Sequence, residues 1–338
     1  MKLLILGGTV FLGRAIAAHA VAEGFEVTCL TRGESGTPPP ADAVWVKGDR
    51  SRDDWCAQIG QTEFDAVIDV ARHPGHVRRA CRDLAGDPHY VFVSTISVYP
   101  DDAAAGQDES APTLSPLTGD EMTDMSVYGP AKVSCERHVL ERFGADGCCI
   151  ARAGLIGGPG DRTGRSGYWP WRFAHPSTAS GQVLVPDAAD QPMQIVDVRD
   201  LARWLVHCAL ERVHGTYDAV GPSSTLGHLL EIAAELGGRG TPLPADADWL
   251  VAQGVTEWMG DDSLPLWLAD RAEWGLGDRL GQTVHAAGLT HRPLQECLAD
   301  TLAWEADQPQ PHGAGLTDER ERALIAAHPA SGPVQTDG

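Results

Sequence analysis

Along the first two-thirds of the chain, short apolar runs alternate with amphipathic, alanine-rich stretches. Lys2–Leu6 (KLLIL) is apolar on both sides of a strand's two-residue period and predicts a buried first strand. A glycine turn follows. Residues 11–23 then carry the 3.6-residue period of a helix, stopped by Gly24 in the position after its C-cap. Residues 26–30, 43–46, 64–70 (FDAVIDV), 90–94 (YVFVS) and 148–152 predict further strands, and residues 76–84 and 129–143 predict helices. Strands and helices in alternation imply right-handed crossovers and a parallel sheet covered on both faces.

The pattern then breaks. Residues 157–192 are rich in Gly, Pro, Trp and Arg. Residues 194–197 predict a strand leading into a helix at 198–210, with another strand at 216–220. Beyond Pro222, helical stretches are separated by Pro and Gly. After residue 308 the chain turns Pro-, Gly- and His-rich, with a short amphipathic helix predicted from Thr317 as N-cap, followed by Asp318 and Glu319. The last ten residues are expected to be disordered.

Length and charge narrow the possibilities. A chain of 338 residues suits two lobes rather than one core. The net charge is -21, from 26 Lys and Arg against 47 Asp and Glu, which repels phosphate backbones and anionic membranes. Nucleic acid and membrane are therefore not expected partners. No apolar run reaches the roughly 20 residues of a membrane span, and the first strand meets glycines too early for a signal peptide. The eight cysteines form no C-x-x-C pair, which suits reduced thiols in a cytoplasmic protein. His73 and His76 have no third ligand nearby in sequence, so no metal site is expected.

Three features carry chemistry. The first is Gly7-Gly8-Thr9-Val10-Phe11-Leu12-Gly13 between strand and helix, the context in which glycines let a pyrophosphate approach a helix N-terminus. It reads as a dinucleotide loop with Val10 where a glycine usually stands. The second is the end of the second strand, Leu30-Thr31-Arg32-Gly33. An acid there would bind the 2′-hydroxyl of NAD. Arg32 suits the 2′-phosphate of NADP instead, by forked guanidinium–phosphate geometry. NADP is the expected cofactor and NAD the alternative. The third is Tyr128-Gly-Pro-Ala-Lys132, two side chains on one helical face. A lysine ammonium beside a tyrosine stabilises the phenolate and makes the phenol a working acid or base. The chain has only three lysines, Lys2, Lys47 and Lys132, so one of them at this spacing is specific.

In order and spacing these features resemble the extended short-chain dehydrogenase/reductases, in particular the NAD-dependent epimerase/dehydratase family. The resemblance runs from Met1 to about Val220 and includes VSTISVYP, YGPAK, ARAGLIGGPGD and IVDVRDLA. It implies an α/β fold: a Rossmann-type doubly wound parallel sheet with a smaller C-terminal substrate lobe. Residues 1–156 plus 193–222 would form the NAD(P)-binding domain, 157–192 plus 223–307 the lobe, and 308–338 a tail with a short helix. The resemblance makes Thr95 the hydroxyl that holds the reacting oxygen, Tyr128 the proton donor or acceptor, and Lys132 also the partner of the nicotinamide ribose. Asp49 resembles the acid that binds the adenine amino group. Cofactor contacts are expected from Gly7, Thr9, Val10, Phe11, Leu12, Gly13, Arg32, Asp49, Arg50, Val70, Ala71, Arg72, Lys132 and Ala153.

Departures shape the expected reaction. Ile96-Ser97 follow Thr95 where sugar dehydratases of the family carry Asp-Glu, so elimination of water is not expected. Met193 stands where epimerases usually carry a diphosphate-binding arginine. The glycine loop and the TRG turn point to an atypical branch, which also resembles plant plastid RNA-binding proteins of this fold. Ser97, Tyr168, Trp169, Trp171 and Arg172 are candidate substrate contacts, although an aromatic segment of this kind equally suits lobe packing. The reading is an NADP(H)-dependent reductase or dehydrogenase of a small polyhydroxylated or secondary-metabolite carbonyl. A sugar epimerase and a nucleotide- or RNA-binding protein are the alternatives. A small-molecule substrate is the expected partner, and a homodimer is compatible.

Overall fold

The computed structural model describes residues 1–309 and 313–329. Among these residues, its first unit comprises 1–156, 195–222 and 279–291, and its second 157–194, 223–278, 292–309 and 313–329.

The first unit is built on strands β1 (Lys2–Leu6), β2 (Glu26–Thr31), β3 (Val44–Lys47), β4 (Ala66–Asp69), β5 (His89–Thr95), β6 (Cys148–Ala153) and β7 (Gly215–Ala219). They pair in the order β7-β6-β5-β4-β1-β2-β3, all parallel. The order reverses at β1, which opens a crevice at the carboxyl ends of β1 and β4. The predicted strand at 194–197 is shorter, Ile195–Asp197, and lies outside this sheet.

Four helices cover the sheet: α1 (Phe11–Ala22), α2 (Pro74–Asp83), α3 (Tyr128–Phe143) and α4 (Val198–Glu211). The two-residue period of β1 sorts its side chains between two cores. Leu3 and Ile5 pack with Ile16 of α1 and with Leu201 and Leu205 of α4. Leu4 and Leu6 pack on the other face with Val77 of α2 and Val139 of α3. Each fully buried aliphatic side chain of this kind contributes about 1.5–3 kcal/mol, which holds both helical layers on the sheet.

In the second unit, helix Arg165–Ala174 packs on helices Leu226–Gly237 and Leu294–Ala306, beside a parallel pair of strands, Gln182–Pro186 and Thr241–Ala245. Two segments depart from the sequence-based division. Residues 279–291, expected in the substrate lobe, cluster instead with the first unit, where Arg279 Nε donates to the buried carboxylate of Asp218 at 2.7 Å. The tail from residue 308 clusters with the second unit. Its helix, Asp318–Ala327, starts at Thr317, whose side chain accepts from the Arg320 amide at 3.1 Å. The expectation for the last ten residues falls, from residue 330 on, outside the described residues. Among the described residues no helix is long and apolar enough to cross a membrane.

Candidate active site

The crevice is lined from the ends of four strands, β1 to β4. β1 runs into the glycine turn, and α1 sits directly against it. A Cβ on Gly13 would lie 2.0 Å from the Gly7 carbonyl oxygen, so only glycine permits this approach. Val10 is the N-cap of α1 and has no hydrogen-bonding side chain, and no acid occupies the first turn. The amides of that turn are therefore offered to an anion, as in helix-N-terminal phosphate sites. Val10 is 44% exposed, and Phe11 takes φ 35°, a left-handed conformation that bulky residues rarely adopt. Leu12 and Gly13 are buried beneath it.

A cavity of about 310 Å³ opens on this turn. Gly7, Thr9 and Val10 line it from β1, and Arg32 lines it from the end of β2. Arg50 lines it from beyond β3, and Val70, Ala71 and Arg72 from the end of β4. Asp49 is half-buried beside it, its carboxylate accepting from the Ser51 amide at 3.0 Å and hydroxyl at 2.8 Å. Those bonds, aided by the charges of Arg32 and His76, hold its carboxyl below the usual range. Arg32 is exposed and pairs with Glu34 at 3.2 Å. Arg50 is buried and donates twice to Asp69, at 2.9 and 2.8 Å. Glu34, Ser35, His73 and His76 also line the cavity and are not among the residues expected from the sequence. The signal for the histidines was their place just past β4, where the crevice of such a sheet lies. A dinucleotide fits these residues: uncapped amides for the pyrophosphate, a close-packed glycine turn, and arginines for phosphate.

The second half of the site is at the end of β5. Thr95 is buried, and its hydroxyl accepts from the Ser97 amide and donates to the Ser97 hydroxyl, both at 3.2 Å. α3 starts on top of this turn, since a Cβ on Gly129 would lie 2.1 Å from the Ser97 carbonyl oxygen. Tyr128, the first residue of α3, is half-buried, as is Ser97. One turn later Lys132 is 2% exposed. Its Nζ donates to the carbonyls of Ala71 at 2.6 Å and Val93 at 2.5 Å, and lies 4.4 Å from the Phe92 ring centroid. Lys132 therefore joins α3 to β5 and to the cavity lining at Ala71. Ala153 is buried opposite Thr95 in the β5–β6 register.

Behind this cluster, Glu136 of α3 is buried. It accepts from Arg152 at 3.1 and 2.8 Å and from the hydroxyl of Ser94, the neighbour of Thr95, at 2.5 Å. Arg152 also donates to the Tyr99 hydroxyl at 2.8 Å, which donates to Asp218 at 2.7 Å. This network fixes the helix that bears Tyr128 and Lys132 relative to the strand that bears Thr95.

The aromatic segment is placed differently from the expectation of substrate contact. Tyr168 and Trp169 have no exposed surface, and the Trp169 indole donates to the Pro265 carbonyl at 2.8 Å. Arg172 is 3% exposed and donates to Asp318 and to the Leu316 carbonyl, both at 2.6 Å. These three side chains are committed to the interior of the second unit, because their helix is packed on several sides. Trp171 is half-buried and stacks on His175 at 3.9 Å. Among the described residues no group of three or more His, Cys, Asp or Glu could hold a metal ion.

Comparison with known proteins agrees with this fold. The family model described as "NAD dependent epimerase/dehydratase family" matches residues 3–86 and 77–219. The chloroplast stem-loop binding protein of 41 kDa b from Arabidopsis thaliana is 27% identical over 219 residues, 60% of this chain and 53% of that protein. The match thus spans about half the length of that relative. Among solved structures, the Bordetella bronchiseptica enzyme WbmH in complex with NAD+ is 19% identical, with a TM-score of 0.63 over 90% of this chain and 98% of that one. The human epimerase family protein SDR39U1 (isoform 2) with NADPH is 20% identical, with a TM-score of 0.60 over 90% of this chain and 99% of that one. At such identities the structures speak for the fold, a Rossmann-type α/β sheet. The family match, spanning more than half of the chain, says more: this protein belongs to the NAD dependent epimerase/dehydratase family, enzymes of the extended short-chain dehydrogenase/reductase type that work with NAD(P).

Proposed function

We propose that the protein is an NADP(H)-dependent reductase or dehydrogenase acting on a small polyhydroxylated or secondary-metabolite carbonyl or alcohol. The observation that carries this reading is the start of α3 on the Thr95–Ser97 turn, where Gly129 meets the Ser97 carbonyl next to Tyr128, one helical turn before a buried Lys132 that reaches the cavity lining. Bound NADP(H) would supply or accept the hydride. Thr95 and Ser97 hold the reacting oxygen by hydrogen bonds. Tyr128 passes a proton to that oxygen or takes one from it, and the Lys132 charge stabilises the phenolate left behind. Two of the three Lys132 donors are engaged by carbonyls, which leaves one for a ribose hydroxyl or the phenol. Of the aromatic segment, Trp171 remains a candidate substrate contact.

NADP is favoured over NAD by Arg32 at the end of β2. Its pairing with Glu34 is exposed on both sides, and such pairs are weak enough to exchange for a phosphate. NADPH should therefore bind roughly ten- to hundredfold more tightly than NADH, the value of a charge-assisted phosphate contact. Tryptophan quenching on titration measures both affinities, and Arg32→Ala should remove most of the difference. Equal affinities for the wild-type protein would refute NADP preference. An epimerase, which oxidises transiently with cofactor it never releases, is the second reading, favoured by the family's description and by the human relative's name. Stoichiometric NAD carried through purification would decide for it. The Arabidopsis relative is named for stem-loop binding, but the net charge of -21 here and the Thr95–Tyr128–Lys132 cluster support a small-molecule enzyme. Eight free cysteines, seven of them buried, fit a cytoplasmic setting.

A further inference from the structure

Arg72 is an exposed arginine that lines the nucleotide cavity, and among the described residues no hydrogen bond or ion pair engages its guanidinium. The other two arginines of that lining are occupied, Arg32 by Glu34 at 3.2 Å and Arg50 by Asp69 at 2.8 Å. Three guanidiniums nevertheless converge. His73 is held below its ordinary pKa by burial first and then by Arg72, with Arg32 and Arg50 adding to it and Glu121 opposing. In a chain with 47 acids and 26 bases, a cation-rich cavity with one unengaged arginine points to an anionic ligand.

Topology says which anion Arg72 meets. β4 adjoins β1 on one side, and β2 adjoins it on the other. The register pairs Leu6 with Asp69, so Val70 falls beside Gly7, where a Cβ on that glycine would lie 2.5 Å from the valine's methyl. Arg72, two residues on, leaves the sheet beside the glycine turn that leads to the uncapped N-terminus of α1. Lys132 bonds the carbonyl of Ala71, the residue just before it. Arg72 thus stands between the glycine turn and the Lys132 cluster, whereas Arg32 leaves on the far side of β1. A dinucleotide laid across β1 with its adenosine ribose near Arg32 would have its pyrophosphate between the turn and Arg72.

We propose that Arg72 is a pyrophosphate clamp, closing on the diphosphate from the β4 side while the first-turn amides of α1 hold it from the other. This rests on the dinucleotide reading above but not on the preference for NADP. The two arginines then have separable roles: Arg72 serves NAD and NADP alike, and Arg32 only the 2′-phosphate.

The test is a set of titrations with NADPH, NADH and adenosine 2′-monophosphate, which lacks a diphosphate, on wild type, Arg72→Gln and Arg72→Lys. Arg72→Gln should weaken NADPH and NADH by the same factor, roughly ten- to hundredfold, and leave adenosine 2′-monophosphate unchanged. Arg72→Lys, a point charge without the fork, should recover part of the loss. Because Arg72 is exposed and unengaged, the thermal midpoint without ligand should not move. Unchanged affinity for both dinucleotides would overturn the proposal, as would a loss confined to NADPH, which would make Arg72 a reader of the 2′-phosphate. If wild type binds NADPH and NADH equally while Arg72→Gln weakens both, the NADP preference fails and the clamp stands. Wild-type protein that binds neither dinucleotide overturns both.

Discussion

Replacing Arg50 by methionine strands a buried carboxylate, that of Asp69, behind the lining of the cavity. Asp69 closes β4 with no exposed surface and accepts four hydrogen bonds: two from Arg50 at 2.9 and 2.8 Å, one from the Tyr90 hydroxyl at 2.7 Å and one from the Ala71 amide at 2.9 Å. Arg50→Met keeps the last two donors and removes the countercharge. Breaking a buried pair in this way costs about 3–5 kcal/mol, and the retained bonds place this case near the lower end, about 3 kcal/mol. The reverse change should be milder. Asp69→Asn leaves a guanidinium whose side chain is 10% exposed at the cavity, where water can reach it. A cost of about 1–2 kcal/mol is expected there, in the range for a buried polar group left short of partners. Combining the two removes both charges, so the double variant should be more stable than Arg50→Met alone, with a coupling of about 2 kcal/mol. Urea unfolding followed by far-ultraviolet circular dichroism gives the values, and an unchanged denaturant slope shows that the same surface unfolds. Arg50→Met within about 0.5 kcal/mol of wild type, the usual range of a neutral surface change, would refute the argument. So would strictly additive single and double variants.

Three further outcomes follow from the same geometry. Gly13→Ala puts a Cβ 2.0 Å from the Gly7 carbonyl oxygen, so α1 must move; a stability loss of about 1–3 kcal/mol and weaker NADPH binding are expected, and unchanged NADPH titration would contradict it. Tyr128→Phe should lower turnover of any accepted carbonyl substrate by ~10²–10⁴ while leaving cofactor affinity alone; activity near wild type would remove Tyr128 from the proton path. His76 is held down to about 4 from its ordinary 6.5, first by burial, then by Arg50 and His73, with Asp69 and Asp49 opposing. The unfolded chain therefore binds the extra proton, so stability should fall as the pH drops from 6.5 towards 4 and gain nothing from this group above 6.5. His76→Gln should flatten that part of the plot of thermal midpoint against pH, and an unchanged slope would refute the assignment.

What could be read from the sequence was local. The strand runs of the first unit, the turn Gly7–Gly13 and the Tyr128–Lys132 spacing each depend on residues within one or two turns of one another. Their structural counterparts lie within a few residues of the expected bounds. Contacts between distant segments were not legible. Nothing local marks residues 279–291 as returning to the first unit, because the Arg279 partner Asp218 lies 61 positions away. Residues 157–192 looked irregular, yet Arg165–Ala174 is a helix with Pro170 inside it. Packing against helices Leu226–Gly237 and Leu294–Ala306 offsets the missing hydrogen bond, a case of tertiary contact overriding propensity. Tyr168 and Trp169 illustrate the same limit. Aromatic character alone does not tell a pocket wall from a core, and only their full burial in the second unit separates the two. Arg50 shows it for charge: it does line the cavity, but its guanidinium is turned to Asp69, a partner 19 positions on.

The choice of lysine at position 132 ties the fold to the chemistry. Lys2 and Lys47 are exposed, whereas Lys132 is 2% exposed, in a chain that otherwise relies on arginine for its cations. An ammonium has three donors arranged around one point. Two meet the carbonyls of Ala71 and Val93, from different strand ends, and i, i+4 spacing puts Lys132 on the helix face that carries Tyr128. A guanidinium spreads its donors in a plane and is larger, so it cannot reach both carbonyls from the same backbone position and still direct a charge at the phenol. Lys132→Arg should therefore lower both the thermal midpoint and dinucleotide affinity, although the formal charge is unchanged. Lys132→Met, which keeps the stem and removes the ammonium, should leave the two carbonyls without donors and lower stability by about 1–3 kcal/mol. If Lys132→Arg matched wild type in both midpoint and NADPH affinity, the ammonium would be exchangeable, and the link between the ends of β4 and β5 and Tyr128, the proposed proton donor or acceptor, would be broken.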